Sequence, residues 1–98
     1  METFEDVISA DRLVLVDFFA VWCQPCKMMH PVMEQLKAEL GDRLRIIKVD
    51  VDKHKHTSAR YGIRSVPTFM LFHNGRVLWR QSGAMSKADL LAAVGNYL

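Results

Sequence analysis

Cys23 and Cys26 are the only cysteines in the chain and lie two residues apart in VDFFAVWCQPCKMMHP, residues 16 to 31. Thiols at this spacing suit dithiol–disulfide exchange or metal ligation. A purely structural staple is a poor use of them, because a disulfide closing so short a loop restrains the unfolded chain less than one closing a long loop. The segment passes from an apolar stretch into a helical pattern, which places Cys23 at the helix start. Its sulfur then sits near backbone amides that lack intrahelical partners and near the positive end of the helix dipole, and both favour thiolate over thiol. Cys23 is therefore the expected nucleophile. Cys26, one turn deeper, is expected to be shielded and to resolve a mixed disulfide by attacking Cys23. Pro25 costs the first helical turn no hydrogen bond and stiffens the loop between the sulfurs.

Other readings of the pair compete. Buried cysteines behave as inert small hydrophobes. Metal binding would take Cys23, Cys26 and His30, three ligands where structural zinc wants four, so His54, His56 or His73 would have to arrive from elsewhere. Asp17 adds a reactive group. A carboxylate set between LVLV and FFA is desolvated, which raises its pKa and lets it take a proton from Cys26 during resolution. A partly buried structural ion pair is the plainer alternative. His30 falls four residues after Cys26, on the same side of the helix; protonated it would favour a Cys26 thiolate, and neutral it would simply pack.

The surrounding elements must hold these groups in place. Thr3 and Asp6 make a capping signature before Phe4, Val7 and Ile8, predicting a short first helix. Leu13 to Ala20 is apolar on both alternating faces, as in a central strand covered on both sides. Met29, Val32, Met33, Leu36 and Leu40 recur at helical spacing, with Pro31 inside the run predicting a kink. Arg45 to Val51 reads as a strand, and strand, helix, strand is a right-handed parallel unit. A short helix is expected over Thr57 to Tyr61, stopped by Gly62. Thr68 to Phe72 and Val77 to Gln81 flank His73-Asn74-Gly75, a hairpin signal. Ser86 and Asp89 cap a last helix carrying Leu90, Leu91, Val94 and Leu98. The order is αβαβαββα, an α/β layer structure.

The 98 residues, 50% hydrophobic and 24% charged, supply apolar material for one modest core, so residues 1–98 are expected to form a single domain. No stretch approaches the roughly 18 apolar residues of a membrane helix, and METFEDVIS lacks the pattern of a signal peptide, which makes the cytoplasm the expected compartment. The 13 basic and 11 acidic residues are scattered, which argues against nucleic acid as a partner.

The motifs VDFFAVWCQPCKMMHP, YGIRSVPTF, NGRV and SGAMSKADL, in this order and spacing, resemble the thioredoxin family from about Phe4 to Leu98. The resemblance implies the thioredoxin fold, with a central four-stranded mixed sheet flanked by helices. It implies dithiol–disulfide exchange with protein substrates, no bound cofactor, and recycling by an NADPH-dependent reductase. Position by position, it makes Cys23 the nucleophile and Cys26 the resolving thiol, and sets Asp17 behind the pair, linked to Lys48 on the neighbouring strand. Pro67 matches a proline that is cis and packs beside the sulfurs. The backbone of Val66 then binds an extended substrate segment, and Trp22, Pro25, Gly83 and Ala84 complete the substrate surface. From the residues alone, core is the lesser alternative for Trp22, and Pro67 reads as an ordinary strand-start proline.

Departures from the family pattern carry their own expectations. Gln24 replaces the usual glycine and bears on the reduction potential. Phe19 replaces a tryptophan and loses its indole donor, and Val21 makes the approach to the sulfurs apolar. The family's first strand is missing before Thr3, which leaves Arg45 to Val51 on a sheet edge open to weak self-association. The reading is a reductase of protein disulfides. Its rivals are an oxidase or isomerase, and a non-catalytic binding module that the joint presence of Cys23, Cys26, Asp17, Lys48 and Pro67 argues against.

Overall fold

The apolar run expected as a central strand forms β1 (Val14–Phe19) in the computed structural model, which describes residues 1–98. β1 pairs in parallel with β2 (Arg45–Asp50) and antiparallel with β3 (Thr68–His73), and β4 (Arg76–Ser82) pairs antiparallel with β3. The result is a mixed four-stranded sheet, β2-β1-β3-β4, with β2 and β4 as its edges. Because β1 is interior, both its faces must be covered. Leu15 packs with Met29, Met33 and Leu36 of α2 (Gln24–Leu40) and with Leu90 and Val94 of α4 (Lys87–Gly95). Val14, Val16 and Phe18 point the other way, into a cluster with Val7 and Ile8 of α1 (Phe4–Ile8), Val49 and Phe72. Period-two alternation along a strand and helical spacing along α2 thus meet in two separate apolar layers.

Local signals explain the boundaries. Thr3 and Asp6 form a reciprocal capping box, each side chain accepting the other's backbone N–H at 3.1 Å, which satisfies donors that a five-residue helix would otherwise leave open. α2 runs on through Pro31, and Gly41–Arg43 adds a short 3-10 turn after it. Asn74 (φ 52°) and Gly75 (φ 78°) are both left-handed, as a two-residue hairpin between β3 and β4 requires. Their amides do not face solvent. Asn74 donates to the Ala10 carbonyl at 3.2 Å and Gly75 to the Ile8 carbonyl at 2.8 Å, which moors the hairpin tip to the end of α1.

The short third helix, α3, spans Lys55–Arg60 rather than Thr57 to Tyr61. Its N-cap, His54, makes no side-chain capping bond, so nothing in DKHKH marks the start. No strand precedes α1 in these residues, and β2 has a sheet partner on one side only. Glu2 instead reaches the first residue of β2 through a two-pronged contact with Arg45, at 2.7 and 3.0 Å. No helix is long and apolar enough to cross a membrane.

Candidate active site

Cys23 is the N-cap of α2, with extended backbone (φ −86°, ψ 111°), and its Sγ accepts the Cys26 N–H at 3.1 Å. The sulfur therefore does the work that a serine or aspartate oxygen does at other helix starts, answering an amide with no carbonyl partner. Gln24 and Pro25 occupy the first two helical positions, both exposed. The two sulfurs are joined as a disulfide, with Cα atoms 5.2 Å apart, so this is the oxidised state. Cys26 is 1% exposed, and Cys23, at 4%, is almost as covered. Both pack with Ala20, against which Phe19, Val51 and Val66 also lie.

The opposite wall is the loop before β3. The Val66–Pro67 bond is cis, Pro67 is buried, and the Val66 carbonyl oxygen stands 3.7 Å from Cys23 Sγ. Several bonds that motif reading did not supply hold this loop. Thr68 Oγ1 donates to the Ser65 carbonyl at 2.7 Å and shares a 2.9 Å bond with Ser82 Oγ. Gly83 N–H donates to the Pro67 carbonyl at 2.8 Å. Gly83 does so at φ 98°, a conformation that side chains disfavour, and it and Ala84 are exposed beside the loop. The Arg80 guanidinium donates to the carbonyls of Tyr61 and Gly62, the latter at 3.0 Å.

Trp22 is not core. It is 68% exposed, and its indole Nε1 donates to Asp52 Oδ2 at 2.9 Å. Asp52 was not among the expected site residues, since it lies 30 positions away in a polar turn with no motif of its own. Trp22, Val51, Ile63, Arg64, Ser65 and Val66 line a cavity of about 120 Å³ beside Cys23, and Val21 and Met28 add exposed apolar surface. A larger cavity of about 340 Å³ lies where α2 ends and β2 begins, between Arg12, Lys37 and Arg45, and shares no residue with this site.

Asp17 is fully buried, and neither carboxylate oxygen has a hydrogen-bond partner. Burial pushes its pKa up from 3.8 to about 6, against the opposing pull of the Lys48 charge. The expected link between them is not formed. Sheet register sets Asp17 opposite Lys48, yet Lys48 is exposed on the edge strand and its Nζ lies 2.8 Å from His30 Nδ1. His30 offers the exposed ammonium an acceptor at the surface, and that contact directs Lys48 away from Asp17. The His30 ring also meets Phe19 edge-on, with centroids 6.0 Å apart. No three His, Cys, Asp or Glu side chains converge as a metal-holding group.

Comparison with known proteins agrees with this geometry. The thioredoxin family model matches residues 1–96. Thioredoxin of Acidithiobacillus ferridurans is 43% identical over 99% of this chain and 91% of its own length. That of Bacillus subtilis is 41% identical over 92% and 86%, and that of Pseudomonas aeruginosa is 42% identical over 90% and 82%.

Proposed function

The chain belongs to the thioredoxin family, a membership that with the Cys23–Cys26 pair implies thiol–disulfide oxidoreductase activity, and from that premise we propose that it reduces disulfides in other proteins. The observation that carries the reading is the Cys26 N–H directed at Cys23 Sγ from the first turn of a 17-residue helix. In the reduced protein the same amide favours a Cys23 thiolate.

That thiolate attacks one sulfur of a substrate disulfide. A bond forms between Cys23 and the substrate, and the other substrate sulfur leaves as a thiolate that takes up a proton. Asp17, ionised near neutral pH, accepts the Cys26 proton. The Cys26 thiolate then attacks Cys23 Sγ, restoring the disulfide described here and expelling the second substrate sulfur. Two electrons pass to the substrate, and a reductase drawing on NADPH returns them to the cysteines. Val66 supplies the backbone edge for an extended substrate segment, with Pro67 beneath it. Trp22, Pro25, Gly83 and Ala84 surround it. The same soluble exchange chemistry suits the cytoplasm, where glutathione and thioredoxin systems keep thiols reduced.

Equilibration of the Cys23–Cys26 pair against defined dithiol buffers tests the direction of exchange. A potential near −270 mV, about that of thioredoxin, is the expected result. A value of about −180 to −120 mV would overturn the reductase reading in favour of disulfide donation, with Gln24→Gly as the first substitution to make.

A further inference from the structure

Lys48 stands between two acceptors and is bonded to only one. Its neighbour across the sheet, Asp17, is buried and unpartnered, while its ammonium sits 2.8 Å from His30 Nδ1. An ammonium group has donors only, so His30 Nδ1 must be the acceptor; the ring is then neutral, with its proton on Nε2. Phe19, meeting the ring edge-on, fixes the orientation that presents Nδ1 to Lys48.

We propose that His30 is a positioning residue: while neutral, its ring holds the Lys48 ammonium off the buried Asp17 carboxyl, and on taking a second proton it releases Lys48 toward Asp17. The inference rests on the role of Asp17 proposed above and names what regulates it.

The charged surroundings of the ring are few. The sheet face under α2 presents Asp17 from β1 and Lys48 and Asp50 from β2, by strand alternation with Leu15 and Ile46. Asp50 is taken up by the amides of Asp52 and Lys53, at 2.9 and 3.4 Å. The adjacent turns of α2 carry Lys27 and Glu34; of the α4 charges, Lys87 pairs with Glu39 at 2.8 Å further along α2, and Asp89 lies in the first turn of α4. Lys48 is the one among these bonded to the ring. With Lys48 withheld, desolvation dominates at Asp17 and it remains a competent proton acceptor for Cys26. With Lys48 released, an opposite charge approaches the carboxylate and favours its ionised form, making it a weaker base. Proton uptake at His30 therefore opposes proton uptake at Asp17, and the coupling runs through a lysine that both compete for.

The decisive experiment follows the Asp17 carboxyl carbon by NMR through a pH titration of the oxidised protein. In His30→Ala the Asp17 midpoint is expected to fall by about one pH unit as Lys48 turns to it. His30→Asn, which keeps an oxygen acceptor near the place of Nδ1, should hold the wild-type midpoint. In a Lys48→Met background, His30→Ala should move nothing further. An unmoved midpoint in His30→Ala, an Asn variant that behaves like Ala, or a shift that persists without Lys48 would each overturn the proposal. Wild-type protein gives a reading that needs no variant: nitrogen-15 shifts at pH 8 should show His30 protonated on Nε2, and a proton on Nδ1 would sink the idea. None of these readouts uses catalysis, so a failure to reduce disulfides would strike the proposed function alone.

Discussion

The two faces of the sheet are built from the same strands but to different rules. Toward α1 and α3, β1 presents Val14, Val16 and Phe18, and the layer is closed by Phe4, Tyr61 and Phe72, whose rings meet at centroid distances of 5.5 to 6.0 Å. Toward α2 the same strand presents Leu15, Asp17 and Phe19, and the apolar layer is interrupted by a carboxyl group with no partner. One face does nothing but exclude water. The other carries a group whose burial is unfavourable when charged, and that group lies on the strand leading into the cysteines. The contrast teaches where the molecule tolerates instability: the inert face supplies the margin that the reactive face consumes.

Cutting into the inert face should have the largest effect. Phe18→Ala is expected to lower stability by about 3–5 kcal/mol in urea denaturation, while the reduction potential of the cysteine pair stays unchanged. A potential that moved with it would mean that the faces are not independent.

Asp17→Asn should act in the opposite direction on stability and against activity. The unfolded chain releases the Asp17 proton near pH 3.8 and the folded chain near 6, so between those values the folded state holds the extra proton. Stability therefore falls as pH rises through that window, levels off above about pH 6, and is lowered by roughly 3 kcal/mol at neutral pH. The asparagine variant should recover most of this at pH 7 and none of it below pH 4, while turnover slows. Equal stability differences at the two pH values would contradict a desolvated carboxyl.

The smallest effect is expected at the rim. Asp52→Ala removes the acceptor of the Trp22 indole but leaves both groups solvated, so stability should change by less than about 1 kcal/mol. A raised KM for a disulfide-bonded protein substrate with little change in kcat would mark the bond as positioning Trp22 for binding. No change in KM would leave it a surface contact.

What could be read from the sequence was whatever depends on neighbours along the chain. The Thr3–Asp6 box, the Asn74-Gly75 turn, the helix starting at the cysteines and the burial of Asp17 all follow from residues a few positions apart. What could not be read depends on competition across elements. The family resemblance links Lys48 to Asp17 and the observed register sets them side by side, but His30, 18 residues away on a helix, takes its ammonium. Asp52 finds Trp22 across 30 residues, and Arg80 finds the loop carbonyls across 18 and 19. Side chains choose such partners by reach and solvation, and neither has a period in the sequence. The start of α3 was missed for a related reason, since its first turn carries no capping residue to announce it.

The mooring of the β3–β4 hairpin to α1 makes two amides into reporters. A helix of five residues has no stability of its own, so α1 persists only while docked. The Gly75 and Asn74 protons point into the Ile8 and Ala10 carbonyls and can exchange with deuterium only when that contact opens. Their protection factors therefore measure a sub-global opening in which the first ten residues detach from one face of the sheet, at the end of β1 opposite the one that leads to the cysteines. Matching rates at both amides would define α1 and the hairpin tip as one cooperative unit, which opens and closes without disturbing the cysteine site.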